Sequence, residues 1–372
     1  MIEIKTPAQY WNRAGALGEA APWAPYAGKN AVVIAGHTAW RSVSEGLLGR
    51  FYDDGIAFAY YPFEGRCTAQ KIDVYADKTT AFGAEFVVGA GGGSALDLSK
   101  AVGQRLGLPV VTIPTVPATC AAWSALIVLY DDAGRFVGRR PLTRSPALVL
   151  ADADLLAAAP LRYLSAGIAD SVVLWYASRI NVSYGKYGRI DGHIGWHTSL
   201  LALEILKREA VAVYREAQKD KTHPAFPDVI DAIFLLAGLV GSIGGNGKRA
   251  AFAHAIHDAL TWFPETKGTL HGEKVAFGLI AQLALEGQFE EAAFWAGFYL
   301  QLELPVTLAE LGFIGATSDL AARIAANVPF DADTAEGLAF PVSERLLAEA
   351  IVQADIIGRR AARLASSVPP AI

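Results

Sequence analysis

The chain has 372 residues, 53% of them apolar and 19% charged, long enough for two ordinary domains with sizeable cores. Its net charge is −5, with lysine and arginine scattered along it, so it lacks the basic stripe that nucleic acid requires. Cys67 and Cys120 lie far apart, and no N-terminal stretch joins a basic region to an apolar core and a small-residue cleavage site. A cytoplasmic protein without a disulfide framework is expected.

Through the first 155 or so residues, short β-rich runs alternate with helical ones: "NAVVIAG", "IAFAYYPF", "EFVVGAGGG", "LPVVTIPT", "SALIVLY" and "PALVLAD". Continuous apolar strands of this kind are buried on both faces, which predicts a parallel sheet covered by helices. The uncharged run 106–130 is interrupted by Gly107, Pro109, Pro114 and Pro117, so it reads as strand, loop and strand rather than a membrane span. From "DADLLAAAPLRYLSAGIADSVVLWYASR" onward the apolar residues recur at helical period, which predicts an all-helical second domain. The expected division is an α/β domain over 1–159 and a helical domain over 160–372. Glycines at 238, 241, 244, 245 and 247 mark tight helix packing or a helix break before the next helix.

Within the first domain, "GAGGGSALDLSKA" follows an apolar strand and opens a helix carrying Asp97 and Lys100. A backbone stripped of Cβ atoms at a strand-to-helix turn leaves N–H groups and the positive end of a helix dipole pointing at an anion. The reading is a phosphate site, with a tight structural turn as the alternative. It is neither the usual dinucleotide fingerprint nor a Walker loop, since no Gly-Lys-Ser/Thr follows.

In the second domain, three of the seven histidines, His254, His257 and His271, fall in "AHAIHDAL" and "LHGEKVAFG". His254 and His257 share a helix face, and His271 heads the next helix. Two imidazoles from adjoining helices and one carboxylate suit Zn2+ or Fe2+ and leave positions open for substrate oxygen. Asp170 is the candidate acid, because it stands alone in an apolar helix where an unpaired charge is costly. Singly, each of these residues reads as a hydrogen-bonded core residue; together they read as a metal site.

With "GGGSALDLSKAVG", "IPTVPATCAAWSALIVLYDDAGRF", "AGIADSVVLWYASR", "AHAIHDALT" and "HGEKVAFGLI" in order, most of the chain resembles the glycerol dehydrogenase branch of the metal-dependent, iron-containing alcohol dehydrogenases. The string "RLGLPVVTIPTVPATCAAW" is most similar to the hydroxycarboxylate dehydrogenases of that branch, which reduce small 2-oxo acids. The resemblance implies a dinucleotide-binding α/β domain followed by an all-helical domain, with the active site in the cleft between them. By resemblance Gly92, Gly93, Ser94, Ala95 and Asp97 cradle the pyrophosphate, and Thr115, Ala118 and Thr119 line the cofactor near its ribose and nicotinamide. Ser124, Leu126 and Tyr130 flank it from the following strand. Asp170, His254 and His271 match the family's metal ligands, which leaves His257 to relay a proton or to support a ligand by hydrogen bonding.

The chain departs from that pattern at three positions. Ser94 stands where glycerol dehydrogenases carry a lysine. Cys120 stands where they carry the aspartate of polyol recognition, and a thiol is a poor acceptor for a diol hydroxyl. Loss of that acid also favours a carboxylate substrate. Gly36 stands where NAD-preferring relatives place an acid, and Arg41 follows within reach of a 2′-phosphate. The expectation is therefore a dehydrogenase exchanging hydride between NADP(H), in preference to NAD(H), and a 2-oxo or 2-hydroxy acid. One divalent ion is expected, Zn2+, with Fe2+ or Ni2+ as alternatives. The alternative activities are glycerol or polyol oxidation and, ranked lower, a dehydroquinate synthase-like cyclisation. A homo-oligomer with a small-molecule substrate, and neither a nucleic-acid nor a membrane partner, completes the reading.

Overall fold

A computed structural model of the chain describes residues 3–183, 190–219, 221–244, 251–315, 317–330 and 338–367. The chain divides into two compact units, Met1–Pro160 with Glu216–Gly244, and Leu161–Arg215 with Gly245–Ile372.

The first unit runs β1 (Glu3–Ile4), β2 (Gln9–Arg13), β3 (Asn30–Ala35), α1 (His37–Asp53), β4 (Ala57–Pro62), α2 (Ala69–Phe82), β5 (Phe86–Gly91), α3 (Gly93–Leu106), β6 (Val110–Pro114), β7 (Leu126–Tyr130), β8 (Phe136–Pro141), β9 (Leu148–Asp152) and α4 (Ala153–Ala157). Six strands form one parallel sheet in the order β2-β9-β6-β5-β3-β4. Alternate residues of β3 serve opposite faces. Ala31, Val33 and Ala35 pack with Val43, Leu47 and Phe51 of α1, while Val32 and Ile34 pack with Ile72 and Ala76 of α2 and Leu98 and Val102 of α3. Burial on both faces is what the continuous apolar runs require.

The run "SALIVLY" departs from expectation. Its strand β7 lies outside the parallel sheet and pairs antiparallel with β8 in a two-stranded ribbon. An edge of the main sheet is taken instead by the more polar β2, parallel to β9.

The second unit contains α5 (Leu161–Ser183) and α6 (Ile190–Ala217), and after the return of the chain α9 (Phe252–Leu260), α10 (His271–Leu285), α11 (Phe289–Leu300), α12 (Thr317–Ala325) and α13 (Glu344–Ser367). Between them α7 (Phe226–Asp231), a π-helical turn at Ala232–Leu236, α8 (Ala237–Ser242) and β10 (Ile243–Gly244) belong to the first unit. The helical half is therefore not the continuous segment 160–372. Specific bonds hold the excursion in the first unit. Tyr10 Oη donates to Asp231 at 2.7 Å, Asn12 donates to the same carboxylate at 2.7 Å, and β1 pairs with β10. Gly238 lies directly under Trp123, where an added Cβ would stand 2.4 Å from the ring. The expected helix break is present, since α8 ends at Ser242; Gly245 and Gly247 lie outside the described residues.

Helix α10 is the axis of the second unit, buried from Gly272 through Ala284 and packed against α5, α9, α11 and α13. A helix apolar on every side can be stable only when surrounded in this way. No helix among the described residues is long and apolar enough to cross a membrane.

Candidate metal and cofactor sites

In the first unit the strand order reverses at β3, with β4 on one side of it and β5, β6 and β9 on the other. The C-terminal ends of strands at such a switch point are where open α/β sheets bind dinucleotides. Gly36 follows β3 and caps α1; Gly91 ends β5 and Gly92 caps α3. The glycines of this turn answer different demands. Gly89 lets α3 approach, since a Cβ there would meet Ser99 Oγ at 2.5 Å. Gly91 adopts φ +143°, a conformation side-chain-bearing residues rarely take. Gly92 and Gly93 face the following loop, their Cβ positions 3.4 Å from Val116 Cγ2 and from Thr119 Oγ1. No side chain caps α3, which leaves N–H groups of its first turn to a ligand or solvent.

The other residues expected around a cofactor fall on this same end of the unit or support it. Ser94 is half-buried and Ala95 buried at the head of α3. Buried Thr115 bonds through its N–H to Gly91 O at 3.2 Å, and Ala118 and Thr119 are half-buried, with Thr119 capping the 3-10 turn Cys120–Ala122. Cys120 is partly exposed and unoxidised.

Asp97 is buried and turned inward. Its Oδ1 lies 3.0 Å from Lys100 Nζ and its Oδ2 accepts the Val128 N–H at 3.0 Å. Burial raises its carboxyl, opposed by Lys100 and that N–H. Lys100 in turn donates to Ser124 O at 3.0 Å, Ser124 Oγ at 3.3 Å and Leu126 O at 2.6 Å. The pair thus fixes Ser124 and β7, which the main sheet does not hold. Tyr130 is half-buried, with the Arg66 guanidinium 4.9 Å from its ring centre. At the far strand, a Cβ on Gly36 would meet only Phe63 O, at 3.4 Å, and Arg41 is exposed on α1. His37 faces Glu64 at 3.7 Å, an acid the sequence reading did not single out.

In the second unit Asp170, His254 and His271 come together from α5, α9 and α10, with one ligand atom of each within 4.8 Å of the others. Asp170 Oδ1 lies 3.3 Å from His254 Nε2 and 3.1 Å from His271 Nε2. Burial would raise this carboxyl, but the charge on His271 and the hydrogen bonds of both imidazoles outweigh it and hold Asp170 well below the usual carboxylate range. His257 is not a fourth member. Its Nε2 lies 2.9 Å from His271 Nδ1 and its Nδ1 lies 3.0 Å from Asp258 Oδ1. Burial and the neighbouring His271 charge push His257 well below the ordinary histidine range despite Asp258, so it is neutral. With Asp258 taking the Nδ1 proton, His257 Nε2 accepts from His271 Nδ1–H. A cation shared by Asp170 and the Nε2 lone pair of a neutral His271 would take the place of the proton that otherwise lies between them.

Each residue of "HGEK" has a distinct task. His271 supplies the imidazole. Gly272 admits α5, because a Cβ there would stand 1.9 Å from Ala166 O. Glu273 accepts the Leu270 N–H at 2.7 Å and pairs with Arg162 of α5, fixing the start of α10. Lys274 donates to Thr269 O at 2.8 Å. The roles of Gly272 and Glu273 were not legible beforehand, although their place beside a candidate ligand was the available signal.

Residues 7–153 match the family model described as iron-containing alcohol dehydrogenase. The chain is 36% identical over 249 residues to hydroxycarboxylate dehydrogenase A of Escherichia coli K12, covering 67% of this chain and 68% of that protein. It is 30% identical over 367 residues to glycolaldehyde reductase of Halobacterium salinarum, covering 96% and 98%. A probable glycerol dehydrogenase from Sinorhizobium meliloti superposes with a TM-score of 0.85 at 28% identity, covering 96% and 98% of the two chains. The chain belongs to the iron-containing alcohol dehydrogenase family, metal-dependent NAD(P) dehydrogenases, and is an oxidoreductase acting on CH–OH groups.

Proposed function

We propose that this enzyme interconverts small 2-oxo acids and 2-hydroxy acids, using NADP(H) in preference to NAD(H) and one divalent ion held by Asp170, His254 and His271. The reading rests on the convergence of one buried carboxylate and two imidazoles, 3.1 and 3.3 Å from a single carboxylate oxygen. That donor set fits a borderline cation such as Zn2+, with Fe2+ or Ni2+ as alternatives. When bound, the ion supplies Lewis-acid polarisation of the substrate carbonyl, and the nicotinamide supplies or accepts the hydride.

The protein's own residues do the positioning. Gly92, Gly93, Ser94 and Ala95 offer backbone to the pyrophosphate, and Asp97 with Lys100 holds Ser124 and the strand carrying Leu126 and Tyr130 in place beside it. Thr115, Ala118 and Thr119 line the cofactor from the adjoining loop. His257 orients His271, since both of its ring nitrogens are engaged. Cys120 leaves the substrate site without the acid that would repel a carboxylate. Gly36 leaves room beside the adenosine ribose, and Arg41 supplies a bidentate donor for a 2′-phosphate. Similarity to hydroxycarboxylate dehydrogenase A supports the same substrate class. Oxidation of glycerol or another diol is the second reading, supported by likeness to the probable glycerol dehydrogenase.

A panel of 2-oxo acids, aldehydes and polyols, assayed with both nicotinamide cofactors on protein of known metal content, tests the proposal. Expected is the highest kcat/KM for a 2-oxo acid with NADPH. A higher kcat/KM for glycerol oxidation establishes the second reading instead.

A further inference from the structure

The three proposed ligands are held by three separate helices, and α9 begins without a side-chain cap of its own. Its N-cap is Ala251, which offers no side-chain acceptor, and its first turn carries His254. A helix start of this kind leaves N–H groups needing a partner from elsewhere. That partner is Gln282. Its side chain is fully buried on α10, and its Oε1 accepts the Ala253 N–H at 3.0 Å, one residue before His254. One turn earlier on the same face of α10, Gly278 admits the carbonyl of that same residue; a Cβ at 278 would stand 2.5 Å from Ala253 O. Both polar groups of the Ala253 backbone are thus set against α10.

The amide itself is oriented. Gln282 Nε2 donates to Glu286 Oε1 at 2.9 Å, and Glu286 pairs with Arg179, which comes from α5, the helix of Asp170. Arg179 also reaches Glu291, to which Tyr176 donates at 2.5 Å. A chain of side-chain bonds therefore runs from the head of α9, through α10, to α5.

From this we infer that Gln282 is a positioning residue of the metal centre, acting as a cap supplied from α10 that fixes the first turn of α9 and so the imidazole of His254. The inference rests on the metal-site reading above. Removing the acceptor frees the Ala253 N–H and lets His254 turn away from Asp170 and His271, so the cost falls on ion affinity and coordination geometry. Loss of an outer partner of a metal ligand weakens binding by roughly 10- to 100-fold.

The experiment compares full-length wild type, Gln282→Met, Glu286→Gln and His271→Ala. Each is stripped of metal, titrated with Zn2+ against a chromophoric chelator, and loaded with Co2+ for its visible absorption; melting of the metal-free forms is followed in parallel. Expected for Gln282→Met is a Zn2+ Kd at least tenfold weaker and a displaced Co2+ band. Glu286→Gln removes the buried charge but keeps the Gln282 acceptor, so its Kd is expected within about twofold of wild type whatever its melting temperature. Should Gln282→Met not fold, Gln282→Asn, whose amide is one methylene short of Ala253, carries the same expectation. A wild-type Kd and Co2+ band in the Gln282 variant overturns this inference alone, provided His271→Ala has lost the ion. Equal weakening in Glu286→Gln assigns the effect to general stability and also overturns it. If wild type and His271→Ala bind Zn2+ alike, the metal-site reading fails and this inference with it.

Discussion

The glycine turn of the first unit and the imidazole cluster of the second are suited to binding by opposite means. The turn presents main chain, and its residues are contiguous from Gly89 to Gly93. The cluster presents side chains from three helices, with Asp170 separated in sequence from His254 by 84 positions and from His271 by 101. Glycine serves both, for different reasons. Gly91 is required by its dihedral and Gly92 by an open backbone, whereas Gly272 and Gly278 are required because the carbonyls of Ala166 and Ala253 occupy the space a methyl would need. A backbone site is therefore sensitive to what is added to it, and a side-chain site to how far apart its helices are held.

Four substitutions sharpen that contrast, beginning with the largest expected effect. Lys100→Met leaves Asp97 as a buried carboxylate without its cation and frees β7; removal of one partner from such a pair costs about 3–5 kcal/mol, to be read by denaturant unfolding. A loss below about 1 kcal/mol, the range of exposed pairs, contradicts the structural role given to the pair. Gly93→Val places a branched side chain against Thr119 and Ala121 and blocks the head of α3. Loss of one or two charge-assisted N–H bonds at roughly 1.5 kcal/mol each should weaken NADPH binding by about 10- to 100-fold, measured by nicotinamide fluorescence, while Zn2+ affinity stays unchanged. If cofactor affinity holds, the turn is structural only.

Cys120→Asp restores an acceptor for diol hydroxyls and a charge that repels a carboxylate, so the ratio of kcat/KM for glycerol to that for a 2-oxo acid should rise roughly tenfold. An unchanged ratio removes Cys120 from substrate selection. The smallest effect is expected at Gly36→Asp, where an acid accepts the ribose 2′-hydroxyl and repels a phosphate, swinging preference toward NADH by roughly fivefold. A wild-type preference for NADH eliminates the NADP(H) reading, as does the absence of any swing.

The contrast also explains what could be read in advance. Apolar runs identified β3, β5, β6 and β9, because burial on both faces leaves a local signature, and also β4, an edge strand that is apolar though only half-buried. The same signature misplaced β7: an apolar run does not name its partner, and here the partner is the largely exposed β8, anchored from α3 by Asp97 and Lys100. Strand β2, "QYWNR", was missed because its polar residues suit an edge position. The return of Glu216–Gly244 to the first unit depends on bonds such as Tyr10 to Asp231, across more than 200 residues, for which helical periodicity gives no sign. At the proposed metal site the three residues that converge were legible from residue type and spacing. Gln282 was not, because it acts on the backbone of a residue 29 positions away and carries no distinctive motif.

The convergence of Asp170, His254 and His271 is tested most directly by elemental analysis of the purified enzyme beside His271→Ala, with activity measured on the same samples. Wild type should retain close to one equivalent of a divalent ion per chain, and His271→Ala should lose the ion and turnover together. A folded His271→Ala protein that keeps a full equivalent of tightly bound metal would show that the ion is held elsewhere.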